Sequence, residues 1–337
     1  MLYLHGLGHF HPENVITNRF LEELDIGTSN EWILERVGIR ERRTALDLDY
    51  IRETRNRDPR AAGEASLCSN ARAGAAAARQ ALTRAGIAAA DVGLVISGSS
   101  APDHVTPSEA ATVAAELEIE APCLDINAAC ATFGVQLSIL DRMKPESLPP
   151  FVLVVNPESL TRCIDYGDRN TAVLFGDGSA AAVVSAREPA ALRLVACDCA
   201  SKPAAWQKAV IPRTGYFRQE GNAVQGFAIR KMTEAVRSFQ NGGPEGGRRP
   251  IFIGHQANLG ILETVRERAS IPGDRHWHNV TMFGNTGCSG TPAVLSQHRR
   301  ELQPGDWVIM ALVGAGLTWA TLVWHVAGQG EDKEETG

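Results

Sequence analysis

Three side chains in this sequence combine nucleophilic and hydrogen-bonding chemistry: the thiol of Cys130, the imidazole of His255 and the carboxamide of Asn285. Cys130 follows an apolar run and precedes an alanine-rich stretch, so we predict that it lies at a strand-to-helix turn. Free N–H groups at a helix N-terminus favour a thiolate, the form of cysteine that accepts an acyl group. The alternative is a small cysteine of the hydrophobic core.

The other two residues lie in motifs that are weak when taken alone. His255 begins the sequence His-Gln-Ala-Asn, after the apolar run 250–254 and before a helical pattern, the same arrangement as at Cys130. Asn285 lies in the sequence Gly-Asn-Thr-Gly at 284–287, which is also what an ordinary turn looks like. Only the combination with Cys130 indicates catalysis.

Strand and helix patterns alternate along the chain, which has 337 residues. Helical patterns occupy 71–85, where Gly86 is a predicted C-cap, and 107–117, 128–143, 227–239 and 259–269. Apolar runs typical of buried strands occupy 92–97, 122–127, 150–155, 250–254, 307–313 and 318–326, and the last two are joined by a predicted hairpin at 314–316. This order predicts an α/β protein of about two fused halves, with sheets covered by helices.

Composition excludes several classes of protein. A net charge of −6 argues against general nucleic-acid binding, and no apolar run is long enough to span a membrane. The N-terminus lacks the pattern of a signal peptide, so we expect a cytoplasmic protein. Seven cysteines without an export signal predict no disulfide framework, and Cys197 and Cys199 are expected on alternate faces of a strand rather than at a metal.

Cys130, His255 and Asn285 together resemble the catalytic set of the β-ketoacyl synthase III family of condensing enzymes. The resemblance extends to the segments 28–42, 175–182 and 314–319 and covers about 1–327, interrupted by an insertion or flap at 47–64. It implies the thiolase fold: two pseudo-symmetric halves, 1–185 and 186–327, each with a five-stranded mixed sheet, in helix–sheet–helix–sheet–helix layers. The acidic segment 328–337 is expected to be a disordered tail.

The family's chemistry implies a role for each of the three residues. Cys130 would take the acyl group, while the backbone N–H groups of Cys130 and Ala315 would form the oxyanion hole. His255 and Asn285 would donate hydrogen bonds to the enolate formed from a second thioester. The resemblance also implies acyl-CoA and acyl carrier protein as substrates or partners, a homodimer, and no metal or redox cofactor.

Substrate-binding residues are carried over in the same way. Trp32, Arg36 and Arg169 match positions that contact the nucleotide end of coenzyme A, although each could be an ordinary surface residue. Gly260 stands where the fatty-acid enzymes usually carry an arginine, so carrier docking is expected to differ. Arg230 and Lys231 are alternative sources of positive charge for an acidic carrier protein.

Two residues bear on the acyl tunnel and on proton transfer. Thr106 stands where short-chain enzymes have a phenylalanine that closes the tunnel across the dimer interface, so a deeper tunnel and a longer primer are expected. Glu109 lies three residues beyond that position, where it is a helix first-turn carboxylate or, less favoured, a general base.

The segments 6–14 and 48–60 resemble ketosynthases of aryl-lipid pathways, which condense β-ketoacyl thioesters and close a dialkylresorcinol or cyclohexanedione ring. Our first expectation is therefore a ketosynthase of specialised lipid or polyketide biosynthesis, with β-ketoacyl or malonyl-type donors. The fatty-acid initiation enzyme is the alternative. An acyltransferase to oxygen or nitrogen and a non-catalytic partner subunit also remain, although the complete set of three residues argues against the latter.

Overall fold

The computed structural model describes residues 1–242 and 250–328. Its strands are β1 (Leu2–Phe10), β2 (Asn14–Thr17), β3 (Glu41–Thr44), β4 (Val92–Ser97), β5 (Cys123–Asp125), β6 (Phe151–Glu158), β7 (Gly178–Ser185), β8 (Leu192–Ser201), β9 (Ala209–Val210), β10 (Arg218–Gln219), β11 (Ile251–Gly254), β12 (Trp307–Gly314) and β13 (Thr318–Val326). Its α-helices are α1 (Asn18–Glu23), α2 (Asn30–Val37), α3 (Leu48–Thr54), α4 (Asn70–Ala85), α5 (Glu109–Glu116), α6 (Thr132–Arg142), α7 (Arg169–Ala172), α8 (Gly221–Gly242), α9 (Leu259–Arg268), α10 (Val280–Phe283) and α11 (Gly290–His298).

Nine strands form one hydrogen-bonded sheet in the order β11-β12-β13-β8-β1-β7-β6-β4-β5. Strands β1 and β8 pair antiparallel at the centre of the sheet. On the side of β1, the β1–β7 and β7–β6 pairs are antiparallel, and the β6–β4 and β4–β5 pairs are parallel. On the side of β8, the β8–β13 and β13–β12 pairs are antiparallel, and the β12–β11 pair is parallel. This repeated order confirms the pseudo-symmetry expected for the thiolase fold. The first half contributes five strands and the second four, and the place of its fifth strand is taken by a single parallel bridge between Phe252 and His276.

The helices lie in three layers around the two halves of the sheet. Helices α4 and α5 cover the first half, while α8 and α9 pack on the outer side of the second. Helices α6 and α11 contact strands of both halves, and α11 is buried at every position from 290 to 296. These two central helices follow Cys130 and Asn285 in sequence, so both candidate residues are placed between the two halves.

The alanine-rich helix α4 lies unusually close to β1. A Cβ atom added to Gly6 or Gly8 would lie 2.0 Å from the carbonyl oxygen of Ala81 or 1.9 Å from that of Ala77. Glycine on the strand and alanine on the helix therefore allow a backbone approach that larger side chains would prevent.

Most predicted elements are confirmed, with boundaries that shift by a few residues. Gly86 caps α4 in the left-handed conformation (φ 69°), and β12 and β13 pair as a hairpin. Cys197 and Cys199 both lie on β8, but the expectation that they occupy alternate faces was wrong, because residues two positions apart in a regular strand face the same side of the sheet. No helix in the described residues is long and apolar enough to cross a membrane.

The segment 47–64 contains α3, whose N-cap is Asp47, followed by turns. It is anchored by Asn56, whose amide donates to the carbonyl oxygens of Arg162 and Ile164 at 2.9 and 2.8 Å. Tyr216 donates to the backbone oxygen of Asn56 at 2.6 Å. The segment is therefore tied to the body of the protein at this point. The predicted disordered tail lies, apart from residue 328, outside the described residues.

Candidate active site

Cys130 lies in a tight turn between β5 and α6. Ala129 has a positive φ of 50°, and its N–H donates to the side chain of Asn127 at 2.8 Å. The hydroxyl of Thr132 accepts from the N–H of Ala128 at 2.8 Å and donates to the carbonyl of Ala129 at 2.6 Å. These bonds fix the turn. Helix α6 begins two residues after Cys130.

His255 follows the last residue of β11, and its N–H donates to the carbonyl of Ala311 on β12 at 2.8 Å. Its side chain is buried, and its Nδ1 has no hydrogen-bond partner among the described residues. The next residue, Gln256, bonds to the backbone on both sides: its amide donates to Gly254 and its carbonyl oxygen accepts from Asn279 and Val280. The imidazole is therefore positioned through backbone contacts of His255 and Gln256.

Asn285 is held by the glycines of its motif. Gly284 and Gly287 have φ values of 67° and 60°, which glycine adopts without strain. The Asn285 side-chain oxygen accepts from the N–H of Gly287 at 3.0 Å, and the Asn285 N–H donates to Leu174 at 2.8 Å. Because the oxygen is occupied, the amide nitrogen remains as the donor that can face a ligand.

Cys130, His255, Asn285 and Ala315 all line one cavity of about 840 Å³. Gly314, at the end of β12, lies against the nucleophile turn: an added Cβ would be 2.8 Å from the backbone nitrogen of Cys130. The 314–316 loop and the Cys130 turn are therefore adjacent, as the predicted oxyanion hole requires. The structure brings together the four residues that the motifs singled out separately.

The electrostatics of the site differ from the expectation of a stabilised thiolate. Cys130 opens on the cavity but is otherwise enclosed by protein, and this burial, together with the Glu158 carboxylate, raises its pKa to about 12. Burial lowers the pKa of His255 to about 4. The prediction that the helix N-terminus favours a thiolate was therefore wrong for the resting site, because desolvation outweighs it. The resting pair is a neutral thiol and a neutral imidazole.

Comparison with known proteins assigns the chain and its fold to a family. The 3-oxoacyl-[acyl-carrier-protein] synthase III model matches residues 124–203, and the model of the C-terminal part of that family matches residues 250–326. β-Ketoacyl-[acyl-carrier-protein] synthase III of Aquifex aeolicus is 31% identical over 324 residues, covering 94% of this chain and 97% of that protein. The chain belongs to the β-ketoacyl-[acyl-carrier-protein] synthase III family. It is a condensing enzyme of the ketosynthase type.

Further relatives agree with this assignment. The protein of the same name from Bacillus pumilus is 32% identical over 321 residues, covering 94% of this chain and 96% of its own. The crystal structure of the Aquifex aeolicus VF5 enzyme superimposes with a TM-score of 0.85 at 30% identity, covering 96% of this chain and all of that one. The predicted thiolase fold is thus confirmed.

The three predicted nucleotide-binding residues of this ketosynthase lie together. The guanidinium groups of Arg36 and Arg169 lie 5.9 and 5.0 Å from the ring centroid of Trp32. Arg36 lines the cavity, as do Asp168 and Asn170 on either side of Arg169. Their role in binding coenzyme A stays a prediction.

Three other predicted positions lie away from the reacting groups. Thr106 is exposed and does not line the cavity of its own chain. Glu109 is buried, with its pKa raised to about 7 by burial, and its carboxylate accepts from Asn70 at 2.5 Å; it too lies outside the cavity. Gly260 is the second residue of α9, between the cavity-lining residues Asn258 and Ile261.

Arg230 and Lys231 lie on α8 and contact neighbouring side chains. Arg230 is 5.4 Å from the ring centroid of Phe227, and Lys231 is 4.5 Å from that of Trp319. Lys231 also forms an ion pair with Glu234 at 2.8 Å. Of the two, Arg230 has the more exposed side chain and is the freer to meet an acidic partner.

Sequence reasoning missed Glu158 and the wall of the cavity. Glu158 is buried at the end of β6. The sequence signal that could have identified it is a carboxylate that directly follows an apolar strand. The missed wall includes Trp206, Ile211, Phe217 and Gln225, which come from short elements and from the first turns of α8. These short segments carry no hydrophobic periodicity that would have indicated a common surface.

Proposed function

We propose that this chain catalyses the decarboxylative condensation of an acyl thioester, held on Cys130, with a malonyl thioester on acyl carrier protein. The observation that carries the proposal is the single cavity lined by Cys130, His255, Asn285 and Ala315. The names of the relatives support this activity, which the sequence analysis ranked second, better than ring-forming aryl-lipid synthesis.

Acyl loading starts from the neutral Cys130 thiol and the neutral His255 imidazole. The Cys130 sulfur attacks the thioester carbonyl while His255 accepts the thiol proton, and the oxyanion accepts hydrogen bonds from the N–H groups of Cys130 and Ala315. The intermediate collapses with cleavage of the old carbon–sulfur bond. The proton passes from His255 to the departing thiolate, and His255 is again neutral.

Condensation then uses the same cavity with a second substrate. The malonyl carboxylate leaves as carbon dioxide, and the electron pair of the broken bond forms an enolate. The enolate oxygen accepts hydrogen bonds from the N–H of His255 and from the Asn285 amide. The enolate carbon attacks the acyl carbonyl on Cys130, a carbon–carbon bond forms, and the carbon–sulfur bond to Cys130 breaks. The Cys130 thiolate takes up a proton from water. Atoms, protons and electrons balance in these steps without a redox cofactor or a metal.

Substrate entry is proposed from the side of the cavity bearing Arg36, Arg169 and Arg218. Arg36 and Arg218 line the cavity, and Trp32 adds an aromatic face between Arg36 and Arg169. Cationic side chains and an aromatic ring suit the phosphate and adenine groups of coenzyme A and the phosphopantetheine of a carrier protein.

We further propose that the chain acts as a homodimer through the edge of the sheet at β5. This strand pairs with β4 on one side, and it ends the sheet on the other. Leu124 on β5 is 40% exposed, and Val105, in the loop before α5, is 77% exposed. Such exposure of large apolar side chains suits a surface that a partner subunit covers. Thr106, next to Val105, would then reach the acyl tunnel of the partner.

Intact-protein mass spectrometry tests the proposal. Incubation with acetyl-CoA or octanoyl-CoA should add one acyl group to the wild type and to Cys199→Ala, but none to Cys130→Ala. Octanoyl loading tests the deeper tunnel expected from Thr106. Acyl loading retained by Cys130→Ala would overturn the assignment of the nucleophile.

Product analysis separates the remaining activities. The loaded enzyme and malonyl carrier protein should give a linear β-ketoacyl product. Asn285→Ala should still load but should lose about 10²–10³-fold in condensation rate because an enolate donor is absent. A ring product formed only with β-ketoacyl donors would instead support the aryl-lipid activity, and an ester or amide product would support acyl transfer to oxygen or nitrogen.

A further inference from the structure

Glu263, His276 and His278 form a cluster outside the catalytic cavity. Glu263 lies on α9, and the two histidines lie on the segment that runs beside β11. One possible ligand atom from each residue lies within 4.8 Å of those from the other two. None of the three residues lines the cavity that holds Cys130. The proposed condensation does not use this cluster.

The spacing of two of these atoms suits a shared cation. Nδ1 of His276 lies 3.4 Å from Oε1 of Glu263. This is longer than the ~2.7–3.2 Å of an ordinary N–H···O bond. It is close to the roughly 3.3–3.5 Å that separates neighbouring ligands around a tetrahedral zinc ion with bonds of about 2.0–2.1 Å. Arg266 donates to the other oxygen, Oε2, at 2.6 Å, so the carboxylate is oriented with Oε1 toward the histidine.

The burial and the ring-nitrogen positions of both imidazoles suit metal coordination. The His276 side chain is only 1% exposed, and His278 is half-buried. Nδ1 of His276 is the ring nitrogen that faces Glu263, and Nδ1 of His278 is buried without a hydrogen-bond partner among the described residues.

We propose that Glu263, His276 and His278 bind a divalent transition-metal ion of the zinc class, with water completing its coordination. Two histidines and one carboxylate form a donor set that suits zinc. The half-buried His278 moves toward the other two residues to close the shell. Arg266 competes with the metal for the Glu263 carboxylate, but it binds Oε2 and leaves Oε1 for the metal.

The position of the cluster indicates a structural role. The segment carrying His276 takes the place of the fifth strand of the second half, where the Phe252–His276 bridge pairs it with β11. Asn279, which follows His278, donates its N–H to Gln256, the neighbour of His255, at 2.9 Å. A metal that links this segment to α9 would stabilise the loop leading to Asn285 as well as the region behind His255.

The test uses the full chain with its accessible thiols alkylated, so that cysteine cannot bind the probe. Titration with Co²⁺ should give about one tetrahedral site per chain with a visible spectrum of nitrogen and oxygen ligands, and Zn²⁺ should displace it. Zn²⁺ should also raise the melting temperature. His278→Ala and Glu263→Gln should each weaken Co²⁺ binding by at least about tenfold.

His298→Ala is the matched control, because His298 lies beside this segment, where its ring stacks on Trp277 at 4.9 Å, yet it is not a ligand in the proposal. It should bind Co²⁺ as the wild type does. Both ligand variants change side chains that are only partly buried, so folded protein can be verified by its unfolding transition. Absence of the Co²⁺ spectrum in the wild type, or equal binding by the ligand variants and the wild type, would overturn the proposal without affecting the proposed condensation.

Discussion

Oε1 of Glu158 accepts a hydrogen bond from Sγ of Cys288 at 3.0 Å. The same carboxylate accepts from the backbone N–H of Ser100 at 3.1 Å and from that of Cys288 at 3.4 Å. Burial raises the pKa of Glu158, while the hydrogen bonds from Cys288 and Ser100 act in the opposite direction and favour the ionised carboxylate. Its negative charge is one of the causes that raise the pKa of Cys130.

Replacement of Glu158 by Gln should lower the pKa of Cys130. Removal of a nearby negative charge makes the thiolate less unfavourable, so a larger thiolate fraction forms at any given pH. The pH profile of iodoacetamide alkylation at Cys130, followed by peptide mass spectrometry, should move to lower pH. The substitution should also destabilise the fold by about 1–3 kcal/mol, because the amide NH2 group replaces one acceptor oxygen and faces buried donors.

Asp177→Asn is the matched control for this experiment. Asp177 is also buried and accepts from Ala45 and Thr161, but it is not among the groups that shift the pKa of Cys130. Its substitution should leave the alkylation profile unchanged. An unchanged profile in Glu158→Gln would contradict the proposed charge effect.

The neutral thiol–imidazole pair predicts how acyl loading depends on pH. The pKa of His255 is lowered to about 4, so its neutral, proton-accepting form persists as the pH falls well below the usual range for histidine. Loading by the wild type, measured by rapid-quench mass spectrometry, should stay level between about pH 8 and about pH 5.

His255→Ala provides the contrast for the pH measurement. Without the proton acceptor, loading depends on the small fraction of free thiolate. Its rate should therefore rise about tenfold per pH unit below the pKa of Cys130. If wild-type loading instead fell with an apparent pKa near 6.5, the neutral pair would be wrong.

Gly314→Ala should strongly slow acyl loading. The added Cβ would lie 2.7 Å from the carbonyl oxygen of Ala128 and 2.8 Å from the backbone nitrogens of Cys130 and Ala131. These are backbone atoms that cannot rotate away, so the nucleophile turn or the 314–316 loop must shift and the oxyanion hole is disturbed. A loss of about 10²–10³-fold in loading rate is expected.

Gly260→Ala serves as the comparison for the Gly314 variant. Its added Cβ would make only an ordinary contact, 3.5 Å from the Asn258 side chain, within helix α9. Loading should be unchanged, and the free energy of unfolding should rise by up to about 1 kcal/mol because alanine favours a helix over glycine. Normal loading by Gly314→Ala would show that the close approach at Cys130 has no catalytic consequence.

Gly260→Arg should strengthen binding of the thioester carrier. The position has room for a Cβ and lies between two residues that line the cavity, so an arginine there can reach a phosphate at the entrance. The KM for acyl-CoA should fall by about tenfold or less, with kcat little changed. Gly260→Gln, of similar length but uncharged, is the control, and an equal effect of both variants would exclude an electrostatic cause.

The sequence by itself determined the family and the three residues predicted to react. Cys130, His255 and Asn285 each follow a recognisable local pattern, because the ends of buried strands and glycine-rich turns are encoded by neighbouring residues. The alternation of strands and helices indicated the α/β class for the same reason. The hairpin of β12 and β13 and the C-cap at Gly86 were likewise readable from a few adjacent positions.

Only the tertiary structure decided the protonation of the site, the residues behind it and the clustering of Glu263 with His276 and His278. The predicted thiolate became a neutral thiol because enclosure by distant segments, and the charge of Glu158, outweigh the local effect of α6. Glu158 and Cys288 are 130 positions apart in sequence. Desolvation and charge depend on distances in three dimensions, and no local pattern in the chain records them.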